Sequence, residues 1–234
     1  MDLNINNYKK QKLSYIRKNK AFTLAEVLIT LVIIGVIAAI TVPILHSSYK
    51  KQETVSRLKK AYSTIQQSTY KIALKEGLPV GDFSFMQDDD FFHAFKETVN
   101  RNKVCEIKPD ECFPDVIIKR LNGADSYNFN RNFSIVTMDG TAYGWTAAGF
   151  QGNPNFCGDK YLTPEETSKC IGRFIVDING HANPNRIGHD VFFFVAVNGK
   201  GIVPAGSGGT EDCKRDSFGN SCAAKVLKDN DVKY

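Results

Sequence analysis

The most apolar segment of the chain covers residues 22–45 and reads FTLAEVLITLVIIGVIAAITVPIL, with Glu26 as its only charged residue. As a helix with a rise of ~1.5 Å per residue, this segment would be about 36 Å long. The hydrocarbon core of a bilayer is roughly 30 Å thick. The pattern therefore predicts one transmembrane helix over residues 22–45.

After residue 45 the sequence becomes polar, and no Pro or Gly interrupts it before Gly77. Apolar and small residues recur there in steps of three and four, which is typical of one buried helix face: Val55, Leu58, Tyr62, Ile65, Thr69 and Ile72. We therefore expect the helix to continue as an amphipathic segment over residues 46–76. Pro43 should kink or loosen it near the membrane exit; the alternative is that the helix ends there.

Beyond Gly77 the pattern changes to short β-like runs separated by turns. Ser134–Met138 and Thr141–Trp145 flank Asp139-Gly140, a pair that accepts the backbone angles of a tight hairpin turn. Further strands are expected at Phe174–Asp177, Val191–Val197 and Gly201–Pro204, and a short helix at Phe91–Arg101. These runs predict an α+β head over residues 77–234, in which about five antiparallel strands pack on the long N-terminal helix.

Composition and charge refine this outline. The 234 residues are 42% hydrophobic and 24% charged, which excludes a collagen-like, disordered or multi-pass protein. The net charge of +5 comes entirely from residues 1–21, which hold six Lys or Arg and one Asp. Residues 46–75 carry +6 and residues 76–234 carry −5. A basic leader is expected to stay in the cytoplasm, which places the head outside the membrane.

Two other interpretations fit the apolar run. A cleaved secretory signal could end at the small residues around Val36 and Ala38. An uncleaved signal anchor could carry an unrelated head. Glu26 argues against both, because a carboxylate inside an apolar helix is costly unless it has a partner. If the chain were cut between Ala21 and Phe22, the new amino terminus, or that of a neighbouring copy, could pair with Glu26 and fix the register between helices.

At these residues the sequence resembles the type IV pilin and pseudopilin family, through residues 20–29, KAFTLAEVLI, and the apolar run to Pro43. The resemblance implies cleavage by a prepilin peptidase before Phe22, N-methylation of Phe22, and Glu26 as the register carboxylate. Ala21 departs from the family, which usually has Gly before the cut, so slower processing is expected. We would then expect a structural subunit, not an enzyme, that forms a type IV pilus or a type II secretion pseudopilus.

The resemblance also implies partners and a location. The partners are copies of the chain or other pilin-like subunits, the prepilin peptidase, an inner-membrane assembly platform and membrane lipid; nucleic-acid binding is not predicted. The location is the bacterial inner membrane, crossed once with the N-terminus in the cytoplasm. The head would then be periplasmic or extracellular.

All six cysteines lie in the predicted head, where an even number indicates disulfides. Fifteen pairings are possible, and the spacing favours neighbours: Cys105–Cys112, Cys157–Cys170 and Cys213–Cys222. A zinc site is disfavoured, because no C-x₂-C pair is present and no His lies at ligand spacing.

A polar loop between two predicted strands, residues 177–190, contains Asp177, Asn179 and Asp190 together with Asn183 and Asn185. This density of hard oxygen atoms suits Ca²⁺, and calcium-binding loops occur in certain pseudopilins. The alternative is a turn in which the Asn and Asp side chains bond their own backbone.

We find no arrangement typical of a catalytic site. His189 and Asp190 are adjacent, which makes them a poor pair of base and orienting acid. The alternative function is a signal-anchored extracytoplasmic enzyme or ligand-binding protein that does not polymerise.

Overall fold

The computed structural model describes residues 22–83, 90–106, 109–113, 116–126, 133–147, 157, 162–209 and 211–234. The predicted leader 1–21, including Ala21, lies outside these residues. The chain divides into two compact units, the first ending at His46 and the second covering Ser47–Tyr234.

The first long element is helix α1, Leu24–Glu76, which is 53 residues long. It contains a stretch with a mean hydropathy of 2.9, so α1 is long and apolar enough to cross a membrane. The helix continues through Pro43, which excludes the alternative that it ends at this residue. Whether Pro43 kinks it stays a prediction.

Residues 47–76 of α1, here called the stem, belong to the second unit. The stem buries one face, and its buried residues recur in steps of about three and four, as the sequence pattern predicts: Val55, Leu58, Ala61, Ile65, Ser68, Thr69, Ile72 and Ala73. Tyr62 stacks on Phe194 with ring centroids 5.2 Å apart. The stem therefore forms part of the main hydrophobic core.

The sheet has six antiparallel strands in sequential order. Its strands are β1 Arg101–Cys105, β2 Phe133–Thr137, β3 Ala142–Ala147, β4 Cys170–Asp177, β5 Val191–Val197 and β6 Gly201–Pro204. Strand β5, which lies between β4 and the edge strand β6, is buried along its whole length, because one face packs in the main core and the other contacts two smaller apolar clusters. The expected α+β layout, a long N-terminal helix followed by an antiparallel sheet, is confirmed.

The described residues of the second unit also form three short helices: α2 Asp90–Thr98, α3 Pro164–Ser168 and α4 Cys222–Asp229. Helix α2 buries Phe91, Phe92 and Phe95, which pack among the aromatic side chains of β2, β3 and β4. A short 3₁₀ turn, Pro109–Cys112, follows β1.

Three disulfides close short loops of the second unit. They join Cys105 to Cys112, Cys157 to Cys170 and Cys213 to Cys222, with sequence separations of 7, 13 and 9 residues. These are the neighbour pairs that the spacing favours. Each bond connects nearby parts of one loop and so stabilises local structure.

Two predictions need correction. The short helix was expected to extend to Arg101, but α2 ends at Thr98 and Arg101 begins strand β1. About five strands were expected, and the structure has six. Strand β1 was missed because four of its five residues are exposed, so it lacks the alternation of apolar and polar positions that identifies a half-buried strand.

Candidate functional site

The beginning of α1 places the residues predicted for processing and assembly next to one another. Phe22 precedes the helix and is 84% exposed. The backbone N–H of Thr23 donates to Glu26 Oε2 at 2.8 Å, and the Thr23 hydroxyl donates to the same oxygen at 2.9 Å. The Glu26 N–H donates in return to the Thr23 hydroxyl oxygen at 3.2 Å. This reciprocal pattern is a capping box, which satisfies backbone donors that the first helical turn leaves free.

The capping box fixes where the carboxylate lies. Glu26 Oε2 is held against the peptide that follows Phe22, while within the described residues no hydrogen bond reaches Oε1. One oxygen is therefore oriented by the helix start, and the other is available to a positive partner. The role of Thr23 was missed, although Thr-x-x-Glu over residues 23–26 is the sequence signature of a capping box.

The polar loop between β4 and β5 brings Asp177, Asn179 and Asp190 together. Asp177 Oδ1 accepts from the Asn179 N–H at 3.2 Å, and Asp190 Oδ2 accepts from the Asn179 side-chain amide at 3.4 Å. Two backbone N–H groups also donate to Asp190, that of Asn185 at 2.7 Å and that of Arg186 at 2.6 Å. Burial raises the pKa of Asp190, and these hydrogen bonds oppose the rise.

The contact between Asp177 and Asn179 has the form of an Asx turn, in which a side chain replaces the backbone as hydrogen-bond acceptor. Both oxygens of Asp190 hold the loop closed over residues 185–186. Two amide oxygens of the loop, Asn179 Oδ1 and Asn185 Oδ1, are buried and have no hydrogen-bond partner among the residues that the structure describes. The loop thus contains one carboxylate, that of Asp190, whose oxygens accept hydrogen bonds from the backbone, and two amide oxygens that could serve as cation ligands.

Another buried carboxylate, that of Glu166, was not singled out from the sequence. Its side chain is 4% exposed and lies 2.8 Å from Lys200 Nζ. It accepts from the Ser207 hydroxyl at 2.7 Å and from the Thr163 N–H at 2.9 Å. Burial raises its pKa, but these hydrogen bonds and the ion pair outweigh burial and lower it to about 2. The Thr-x-x-Glu pattern at residues 163–166 was the available signal, and the same capping box starts α3.

One cation of the stem, Lys60, forms an ion pair with a turn of the sheet. Lys60 Nζ lies 2.8 Å from Asp139 Oδ2 in the β2–β3 turn. Burial raises the pKa of Asp139, but hydrogen bonds from Lys60, Thr137 and Thr141 bring it down to about 2.

Among the described residues no group of three or more His, Cys, Asp or Glu could hold a metal ion.

Comparison with known proteins gives one positive result. Residues 16–42 match the family model described as "Prokaryotic N-terminal methylation motif". This is the prepilin-type motif of type IV pilins and pseudopilins, and the matched segment contains Ala21, Phe22 and Glu26. Searches of the curated proteins and of the solved structures found no match.

The motif confirms the resemblance on which the sequence interpretation depends. It supports a pilin- or pseudopilin-type precursor, and with the long apolar helix it fits a membrane-anchored pilin. Proteins with this motif are structural subunits and usually not enzymes. The expectations of a pilin-like fold, a methylation motif and disulfide-closed loops are confirmed together.

Proposed function

We propose that this chain is a pilin-like structural subunit that is cut between Ala21 and Phe22, methylated at the new terminus and assembled into a filament through α1. The supporting observation is the methylation motif over residues 16–42, which contains the basic end of the leader, the cut and Glu26. The filament is a type IV pilus or a type II secretion pseudopilus. Its other partners are the prepilin peptidase, an inner-membrane assembly platform and membrane lipid.

Charge and disulfides support an orientation for the precursor. The basic leader keeps the N-terminus in the cytoplasm, and the three disulfides of the second unit suit an oxidising compartment. The precursor therefore crosses the inner membrane once, with its head in the periplasm. After assembly the apolar segment leaves lipid for a bundle of identical helices, where side-chain packing and ion pairs hold the subunits.

Processing can be tested directly. Mass spectrometry of the protein from cells that express a prepilin peptidase should find a mature terminus at Phe22 carrying one added methyl group. Ala21→Gly should increase the processed fraction, because the family usually has Gly there. Ala21→Val is the matched control, in which a bulkier side chain before the cut should reduce processing. A terminus at Met1 or after Ala38 would refute the proposal and favour a signal-anchored or secreted head.

The loop between β4 and β5 supports a proposal about a ligand, Ca²⁺. The residues that would hold it are Asp177, Asn179 and Asp190, with Asn185 nearby. The fit rests on the two buried amide oxygens without hydrogen-bond partners, Asn179 Oδ1 and Asn185 Oδ1, because hard oxygen atoms are the ligands that Ca²⁺ prefers. A bound cation would neutralise the loop carboxylates and stabilise the turn.

Thermal unfolding tests this proposal. Calcium at a hundredfold excess over its dissociation constant should stabilise the protein by about 2.7 kcal/mol, which raises the melting temperature. A chelator should remove the effect, and Mg²⁺ should give less of it, because Mg²⁺ demands a tighter octahedral site. Asn179→Ala should lose the response. Equal melting temperatures with calcium and with chelator would show that the Asx turn alone holds the loop.

A further inference from the structure

The stem begins with a short exposed segment that precedes its buried face. Residues 47–52, SSYKKQ, are all exposed, and the first buried residue of α1 is Val55. This segment, here called the stem base, contains Tyr49, Lys50 and Lys51. Consecutive residues of a helix lie about 100° apart around its axis, so the side chains of the stem base project to every side of the helix.

The two lysines of the stem base form no hydrogen bond or ion pair among the residues that the structure describes. The nearest acid along the helix, Glu53, pairs at 2.9 Å with an arginine one turn further on. Lys51 contributes to the lowered pKa of Asp231, but the main cause of that shift is a hydrogen bond from Lys233. Both ammonium groups of the stem base are therefore available to a partner outside the chain.

A second pair of adjacent lysines on the stem behaves differently. Lys59 Nζ donates to Asn230 Oδ1 at 2.6 Å, and Lys60 Nζ lies 2.8 Å from Asp139 Oδ2. The pair that is farther from the apolar segment thus contacts the rest of the second unit, while the pair next to the apolar segment does not.

The position of the stem base along α1 places it at the level of the lipid headgroups. Lys50 and Lys51 follow Leu45, the last residue of the apolar segment, by five and six residues, which is about 7.5 and 9 Å along a helix axis. The headgroup layer on each side of a bilayer is about 5–8 Å thick. The long lysine side chains can bend back to the phosphates. Tyr is enriched at the same level, and Tyr49 is 63% exposed.

We propose that Lys50 and Lys51 bind the phosphate groups of anionic phospholipids, with the Tyr49 ring beside them in the interface. The inference rests on the proposed membrane-anchored precursor and names the lipid headgroup that its stem base recognises. These contacts set the depth of the apolar segment in the bilayer, because they hold one defined point of α1 at the phosphate level.

The surroundings of the stem base favour lipid over other anionic partners. Headgroups surround a transmembrane helix on all sides, as the exposure of residues 47–52 requires, whereas a protein partner covers one face. A nucleic acid needs a longer row of free cations, and the next lysine pair is already bound by Asn230 and Asp139. In the proposed orientation the stem base is extracytoplasmic, where Lys and Arg are less frequent near a membrane helix, so two unpaired lysines there indicate a specific contact.

Native mass spectrometry of the full chain tests the contact. The protein is extracted from membranes of cells that lack a prepilin peptidase, so that every variant keeps the leader and its cations. It is then equilibrated in detergent with equal amounts of phosphatidylglycerol and phosphatidylcholine, and the ratio of the two lipid adducts is measured. The wild type should bind phosphatidylglycerol preferentially. The double variant Lys50→Gln, Lys51→Gln should lower the ratio about fivefold or more, since one lysine near an anionic surface contributes a factor of about five.

Two further double variants serve as controls. Lys59→Gln, Lys60→Gln removes the same charge from the same helix nine residues farther along, and it should leave the ratio unchanged. Lys50→Arg, Lys51→Arg keeps both charges at the stem base, and it should keep the preference for phosphatidylglycerol.

The outcomes separate this inference from the proposed function. If the chain resists alkaline extraction from membranes but the Lys50→Gln, Lys51→Gln variant keeps the wild-type ratio, the lipid contact is overturned and the membrane-anchored precursor stands. The same holds if Lys59→Gln, Lys60→Gln lowers the ratio equally, because the effect is then one of net charge alone. Recovery of the wild-type chain in the soluble fraction would contradict the membrane-anchored precursor and, with it, the lipid contact.

Discussion

Replacing Glu26 with Val is expected to abolish filament assembly while the chain still inserts into the membrane. Valine makes the segment more apolar, so insertion should be unaffected or improved. In a filament, however, the methylated amine of Phe22 would lose its only acidic partner within residues 22–45. Breaking a buried ion pair by removing one partner costs about 3–5 kcal/mol, which corresponds to a loss of assembly of two orders of magnitude or more.

Two variants identify the cause of this loss. Glu26→Gln keeps an oxygen that can accept from Thr23 but has no charge, so it should also fail to assemble if pairing matters more than helix capping. Thr30→Val is the matched control, because Thr30 is polar, lies on the same helix and donates only to the Val27 carbonyl at 2.9 Å. Filament yield and membrane fractionation are the measurements. Normal yield from Glu26→Val would refute the register role.

Elements with strong local signals could be predicted from the sequence. Strands β5 and β6 lie at Val191–Val197 and Gly201–Pro204 as expected, and the Asp139-Gly140 turn joins β2 to β3 with Gly140 at a φ of 83°. In each case apolar β-forming residues end at a turn that requires Gly or Asn. The buried face of the stem could also be predicted from the spacing of its apolar residues, and Leu58 and Ile65 on that face are fully buried.

Elements that depend on distant contacts could not be predicted. Strand β1 is held by its pairing with β2, and its own residues, RNKVC, show no strand pattern. Helix α4 is short and begins at a cysteine of a disulfide. The predicted end of α2 at Arg101 was wrong because backbone pairing with Thr137 draws Arg101 into the sheet, a contact between residues 36 positions apart.

The residues of the candidate site differ in the same respect: those with a local sequence signal could be predicted, and those that depend on distant contacts could not. Phe22 and Glu26 could be singled out from the sequence because they lie only four residues apart, in one short motif at the start of α1. The loop that contains Asp190 allowed two interpretations, because a cation site and an Asx turn use the same residue types. The hydrogen-bond network around Glu166 could not be predicted from the sequence, since its partners Lys200 and Ser207 are 34 and 41 residues away along the chain.

That network leads to the second large effect, the loss of stability in Glu166→Gln at neutral pH. One pKa unit corresponds to ~1.4 kcal/mol and the folded pKa is depressed from 4.5 to about 2, so the full shift corresponds to about 3.4 kcal/mol. Because the Lys200 side chain is 47% exposed, solvent screens part of the ion pair, and we expect the free energy of unfolding to fall by about 2–3 kcal/mol. Glutamine keeps the shape and can still accept a hydrogen bond. It loses the charge that binds Lys200, and an amide group replaces one oxygen that accepts from Thr163 and Ser207.

The pH dependence makes this prediction specific. A carboxylate with a lowered folded pKa stabilises the protein fully above its unfolded pKa and progressively less as the pH falls through the folded value. The wild type should therefore lose its advantage over Glu166→Gln between about pH 4.5 and pH 2, measured by denaturant unfolding at each pH. Glu165→Gln is the matched control: its side chain is 67% exposed and pairs with Lys169 on the surface, so it should change stability far less than Glu166→Gln does. At pH 2 much of Glu166 is protonated, so the wild type should lose most of the stability that the ion pair with Lys200 contributes. If the difference in unfolding free energy between the wild type and Glu166→Gln were the same at pH 2 as at neutral pH, the assigned network would be contradicted.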